Sequence, residues 1–212
     1  MYVSEIIPFR RSKSRSKVCL DDGTGFVLYN KEIHRFEIEA EKEISDETFQ
    51  EILKEIYIPR AKKKAMHLLE EQDRTTVELE QKLKDSGYPK EAIQIALDYV
   101  ASYHYTDDDR YARNYIRYHQ TGKSKKRLIQ DLKKKGVSDD LIYQAMEDEN
   151  ETDPKEQIMK LLRKKRFDLG NSDYEKKQKE KAKAFRFLAS RGFEVSDITE
   201  CVHIYQREVE GP

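Results

Sequence analysis

No stretch of this chain is long and apolar enough to span a bilayer, and its first residues lack the apolar core of a secretion signal. A cytoplasmic protein is the expectation. Cysteine is scarce: Cys19 and Cys201, near opposite ends, give neither zinc-ligand spacing nor a disulfide framework, so both read as reduced structural thiols. The five histidines, at 34, 67, 104, 119 and 203, are scattered without HExxH-type spacing, and no phosphate loop is present. The acids Asp107, Asp108 and Asp109 fit the start of a helix, whose dipole they complement, better than a metal site. No catalytic residue, metal or cofactor is therefore expected, and the chain does not read as an enzyme. Net charge is missing too. The 41 basic residues balance 41 acids, so only a local patch can speak for nucleic acid or membrane. Apolar residues make up only 37% of 212, against 39% charged. Such a small core favours an elongated helical molecule, and the length allows one or two ordinary domains.

What the chain does have is a repeat. Leu79 to Leu97, LEQKLKDSGYPKEAIQIAL, returns as LIQDLKKKGVSDDLIYQAM from Leu128 and, more weakly, as AFRFLASRGFEVSDITECV from Ala184. Aligned on Gly87, Gly136 and Gly192, the residues Leu83, Leu132 and Leu188 coincide, as do Tyr88, Val137 and Phe193. Ile93, Ile142 and Ile198 follow, then Leu97, Met146 and Val202. Each unit reads as a helix, a glycine turn and a second helix, since a glycine without a Cβ suits the left-handed residue that ends many helices. Ile93, Ala96, Leu97 and Val100 follow the i, i+3, i+4, i+7 rule of an amphipathic helix. Neither helix buries its stripe alone, so each unit needs a third helix and its neighbours. The periodic apolar positions are read as scaffold.

Taken in order, the chain divides into a β-rich extension with a helix over 1–58 and three helical repeats over 60–104, 105–149 and 154–207. Tyr2–Ile7, Lys17–Leu20 and Phe26–Tyr29 are β-prone, and Asp21–Gly25 between the last two is a hairpin turn, together suggesting a small three-stranded sheet. DDGTG lacks the alternating oxygens and closing glutamate of a calcium loop. Arg10 to Lys17 holds five basic residues and three serines; it reads as a solvated loop, or functionally as a mobile basic arm for nucleic acid or an acidic partner. A helix is expected around Asp46 to Ile56, capped by Ser45 or Asp46, with Pro59 as its boundary. Thr75-Thr76-Val77-Glu78 is a capping box, Ser124 and Ser138 cap the later helices, and 150–154 is a linker. The last repeat is lengthened by a very basic helix over 173–190.

Charge is segregated within the neutral total. Arg110 to Lys135 holds ten basic residues against one acid, Asp131, and the stretch that follows to Asp153 holds seven acids and no base. Arg110, Arg113 and Arg117 are spaced by three and four, so one helix face carries them. With Lys123, Lys125, Lys126 and Arg127 they form the candidate binding surface for a polyanionic partner. Lys164, Lys165, Arg166, Lys179 and Lys183 form a secondary basic surface.

The order of these motifs resembles the RecX regulatory proteins of bacteria. The resemblance rests on LxxKLxxxGYPxxxI from Leu79, then Tyr105 to Ala112 (YTDDDRYA), then GKSKKRLIxxLxxKGV from Gly122, and covers about 60–206. It implies a mainly α fold, tandem three-helix repeats in an elongated curved solenoid, behind a small N-terminal sheet like the extension of some members. It further implies a monomeric, non-enzymatic regulator that binds the RecA–DNA filament and mostly inhibits its ATPase and strand exchange in recombination and repair. Arg110, Arg113 and Arg117 match the arginine-rich helix after the aspartates; Lys123, Lys125, Lys126 and Arg127 match the basic segment that follows. Thr106 departs from the family's usual aliphatic residue, and the third repeat's insertion is unusually charged. The expected partners are the RecA filament and single- and double-stranded DNA, with no membrane. The alternative is a helical DNA-binding module acting mainly on the phosphate backbone, whose affinity would fall steeply with salt.

Overall fold

The computed structural model describes residues 1–9, 12–148 and 153–210. Strands β1 (Val3–Phe9), β2 (Ser12–Leu20) and β3 (Gly25–Tyr29) form an antiparallel sheet with β2 in the middle. Helices α1 (Asn30–Arg35) and α2 (Asp46–Ile52) follow, and the remainder is three consecutive three-helix repeats. These are α3 (Ile58–Glu71), α4 (Thr76–Asp85) and α5 (Lys90–Ser102); α6 (Asp108–His119), α7 (Lys125–Lys134) and α8 (Asp139–Asp148); and α9 (Pro154–Lys165), α10 (Tyr174–Ala189) and α11 (Val195–Glu210). The expected linker falls largely on 149–152, outside the described residues. No helix among the described residues is long and apolar enough to cross a membrane.

The basic segment is not a loop. From Ser12 it already belongs to the central strand, with Arg15 opposite Tyr29, Ser16 opposite Leu28 and Lys17 opposite Val27. The cause is the alternation of serine with Lys or Arg, a period of two that puts Ser16 and Val18 on the buried face and Arg15 and Lys17 on the exposed one. Arg10 and Arg11 lie outside the described residues. The DDGTG segment is the turn expected, with Gly23 at φ +81° and Asp22 accepting from the Thr24 amide at 2.8 Å.

Pro59 does not break the chain's helical course. Ser45 caps α2 by accepting from the Thr48 amide at 3.1 Å, and α2 then passes through one wide π turn (Leu53–Tyr57) straight into α3. Ile58 donates to the Leu53 carbonyl, five residues back, and Pro59 sits in the first turn of α3, where a missing N–H costs least. The wide turn aims Tyr57 at the sheet. Its ring packs edge-on against Phe26 at 6.3 Å, and its hydroxyl donates to the Val27 carbonyl. One apolar core thus runs from Val3 and Leu28 through Ile52 and Ala65 to Val100, fusing the sheet and first repeat into one unit that ends at Asp107.

The repeated glycines do what the alignment requires. Gly87, Gly136 and Gly192 stand at φ +81°, +81° and +82°. Each donates to the carbonyl three residues back, at 2.9, 3.0 and 2.9 Å, and the residue after each donates to the carbonyl five back, that of Leu83, Leu132 and Leu188. These are the two bonds of a Schellman helix end. The three leucines are fully buried, as are Ile142 and Ile198, with Ile93 nearly so. Thr75 caps α4 by accepting from the Glu78 amide at 3.1 Å, and the Glu78 carboxylate accepts from the Thr75 amide.

The unit that begins at Asp108 holds the second and third repeats, each with its own core. Ser124 joins them. Its hydroxyl accepts from the Arg127 amide at 3.2 Å, capping α7, and donates to the Gly192 carbonyl at 2.7 Å. Its amide donates to the Arg191 carbonyl at 3.0 Å. A Cβ on Gly192 would stand 2.7 Å from that hydroxyl and 2.8 Å from the Arg127 Cβ, so glycine is needed there for approach as well as for φ.

Candidate functional site

Helix α6 buries Ala112 and Ile116 and turns its basic side outward. Arg110 and Arg117 are exposed. Arg113, half-buried between them, is committed to the fold: its Nε donates to Asp109 at 2.8 Å and another guanidinium nitrogen to Asp148 of α8. Both carboxylates hold the guanidinium charged, the Asp109 bond most strongly.

Beyond α6, Lys123 and Arg127 are drawn to the sole acid of their segment. The Lys123 ammonium lies 2.8 Å from Asp131 Oδ2 and 2.7 Å from the Tyr115 hydroxyl, and Arg127 Nε lies 3.0 Å from Asp131 Oδ1. Burial opposes ionisation of Asp131, but the Lys123 bond and the two positive charges outweigh it and hold the carboxyl below its ordinary range. Burial likewise works against charge on Lys123, and its bonds to Asp131 and Tyr115 reverse the balance, raising it above the usual lysine value. The His119 ring packs on Tyr115 at 4.3 Å; desolvation first, and the Lys123 charge second, lower its value. Lys126 pairs instead with Glu194 of the third repeat at 3.1 Å, in an exposed contact.

Lys123 and Arg127 form one wall of a cleft of about 800 Å³ between the second and third repeats. The other wall brings Lys160, Lys164 and Lys165 from α9 and Arg191 from the turn after α10. Phe187 lines the cleft and Tyr118 stands at its rim, 78% exposed. No carboxylate among the described residues lines it. Lys160 is answered by Glu156 at 3.4 Å, whereas Lys164, Lys165 and Arg191 have no ion-pair partner among the described residues. Arg191 is half-buried: its guanidinium lies 3.7 Å from the Phe187 ring centroid, and one nitrogen donates to the Phe187 carbonyl at 3.3 Å. Burial alone pulls its value down. Gln157, 9% exposed, also lines the cleft, with no side-chain hydrogen bond among the described residues.

The structure therefore joins four candidates from distant stretches, Lys123 and Arg127 with Lys164 and Lys165. Arg110, Arg113, Arg117, Lys125, Lys126, Arg166, Lys179 and Lys183 lie outside the cleft lining. Arg166 ends α9 in the left-handed conformation at φ +52°, and Lys183 pairs with Glu180 at 3.0 Å on its own helix. Sequence reading did not single out Lys160, Phe187 or Arg191, for Arg191 reaches the cleft only through tertiary packing. The sequence does carry a trace of it, since Arg191 precedes the glycine of the third repeat.

Tandem three-helix units, with a basic cleft between the second and the third, define a helical-repeat protein. Three family models match in order: "RecX, first three-helix domain" over 61–99, "RecX, second three-helix domain" over 107–146 and "RecX, third three-helix domain" over 151–202. A Vibrio parahaemolyticus protein named regulatory protein RecX is 35% identical over 142 residues, 66% of this chain and 87% of that protein. Another with that name, from Clostridium perfringens, is 27% identical over 185 residues, 87% of each chain. Two RecX crystal structures share the fold at 22% identity. One covers 96% of this chain with a TM-score of 0.55, and the other, from Lactobacillus salivarius, covers 70% with a TM-score of 0.54. The chain belongs to the RecX family of regulatory proteins.

Proposed function

We propose that this protein binds the RecA–DNA filament and restrains it, lowering ATP hydrolysis and strand exchange during recombination and repair. Family membership supports a regulatory role, and the basic cleft between the second and third repeats is the observation that supports a polyanionic partner. Arg110, Arg117, Lys125 and Lys126 extend the positive surface beyond the cleft, while Arg113 holds α6 to α8 and acts by position. No chemistry is asked of these groups: the protein works by occupying a surface, as a monomer in the cytoplasm.

The other reading, a module that binds DNA phosphates alone, differs in salt response. Backbone binding weakens as a power of salt set by the number of phosphates contacted, whereas a protein interface keeps an apolar, hydrogen-bonded part. The test is binding to recombinase filaments and to bare single strands across a salt series. Filament binding that persists where bare-strand binding has vanished supports the regulatory reading. Parallel loss on both would leave only the phosphate module.

A further inference from the structure

The cleft poses a physical problem. Arg191, Lys164 and Lys165 carry like charge into one half-enclosed space with no carboxylate among the described residues to answer them, and Arg191 is partly desolvated as well. Like charges gathered this closely repel one another, an anion between them relieves the repulsion, and a guanidinium fixed on a ring face is already oriented to bind one. Phe187 fixes it, with the Lys165 ammonium over the same ring at 5.5 Å. Gln157 adds an amide on the cleft side that makes no side-chain hydrogen bond among the described residues. At the rim, Tyr118 presents an aromatic ring that packs against no other ring among the described residues.

We propose that this cleft is a binding site for single-stranded nucleic acid, with phosphates on Arg191, Lys164 and Lys165 and an unpaired base stacked on Tyr118. The assignment rests on the regulatory reading only in taking this surface as the one that meets DNA. It adds the strand type and the residues that select it. A tyrosine ring stacks only on a base whose face is free, so a duplex, its bases stacked on one another, gains the phosphate contacts and nothing from Tyr118. Lys123 and Arg127, tied to Asp131, supply a fixed positive wall and close the site on the α7 side.

The test measures fluorescence anisotropy of the full chain, without recombinase, on a labelled oligodeoxythymidylate, its abasic counterpart and a duplex. Tyr118→Ala should weaken the oligodeoxythymidylate about 5- to 100-fold and leave the abasic strand and the duplex unchanged, while Tyr118→Phe binds as the parent does. Arg191→Gln should weaken the two single strands and make the salt slope shallower by about 0.7 for each phosphate it no longer neutralises. Because Arg191 lies in the turn that Ser124 grips, the doubly exposed pair Lys164→Gln, Lys165→Gln gives the same reading with an undisturbed turn. Equal affinity of Tyr118→Ala and parent for oligodeoxythymidylate overturns the stacking role. Unchanged binding by the folded lysine pair overturns the site. Failure of the parent to bind bare strands, with suppression of the recombinase intact, sinks this proposal and spares the regulatory one; strand binding without effect on the recombinase does the reverse.

Discussion

Asp131 is the residue on which the basic wall depends. It is the single acid among the ten bases from Arg110 to Lys135, and it answers both Lys123 and Arg127. Asp131→Asn leaves two half-buried cations facing each other and should cost about 1.5–3 kcal/mol, the worth of a hydrogen bond to a charged group. The sign with pH follows from the carboxyl's lowered value: its stabilisation is complete above the ordinary 3.8 and is lost as pH falls through the folded-state value. Urea midpoints should therefore separate parent and variant near neutrality and converge in acid; a pH-independent gap would mean that the carboxylate's charge is not what stabilises. The glycines allow a second comparison at this scale. Gly87→Ala and Gly192→Ala meet the same backbone penalty, about 1–2 kcal/mol in the left-handed region. At Gly87 a Cβ finds only Val27 at 4.0 Å, while at Gly192 it collides with Ser124 and Arg127. Urea unfolding should show the larger loss for Gly192→Ala, and equal losses would deny the close packing of the second repeat on the third.

At the scale of the element, α6 separates two roles that spacing alone had joined. Arg113→Ala cuts the tie from α6 to Asp148 and should lower stability more than binding; Arg117→Ala, at an exposed position, should lower filament binding with little change in melting temperature. Melting curves beside binding isotherms check both, and the opposite assignment would reverse the roles. Elements were legible where one local cause decides them. The three glycines, Thr75 with Glu78, and Ser124 each announce a helix end through their own backbone or side-chain chemistry. The start of β2 was hidden because Lys, Arg and Ser have little apolar surface to signal a strand, although their alternation has its period. Pro59 misled for a related reason: a proline bars a helix interior but not its first turn, and the π turn before it made that turn available.

For the whole molecule, tandem repeats were readable because the same apolar positions recur, but the cleft was not. It joins Lys123 to Arg191 across 68 residues of chain order, measured between their neighbours Ser124 and Gly192, and the Ser124 grip on the third repeat's turn, with the Lys126–Glu194 pair beside it, sets the two walls together. Charge that cancels over 212 residues is thus concentrated where the second and third repeats meet. If the protein restrains a recombinase filament, ATP hydrolysis by that filament must fall when the protein is added. The cognate recombinase is assembled on single-stranded DNA and titrated with the protein. Inhibition is expected well below one protein per recombinase subunit, weakened by Arg117→Ala and by the Lys164→Gln, Lys165→Gln pair. Undiminished hydrolysis at saturating protein, under conditions where it binds bare DNA, would mean that the protein does not restrain the filament.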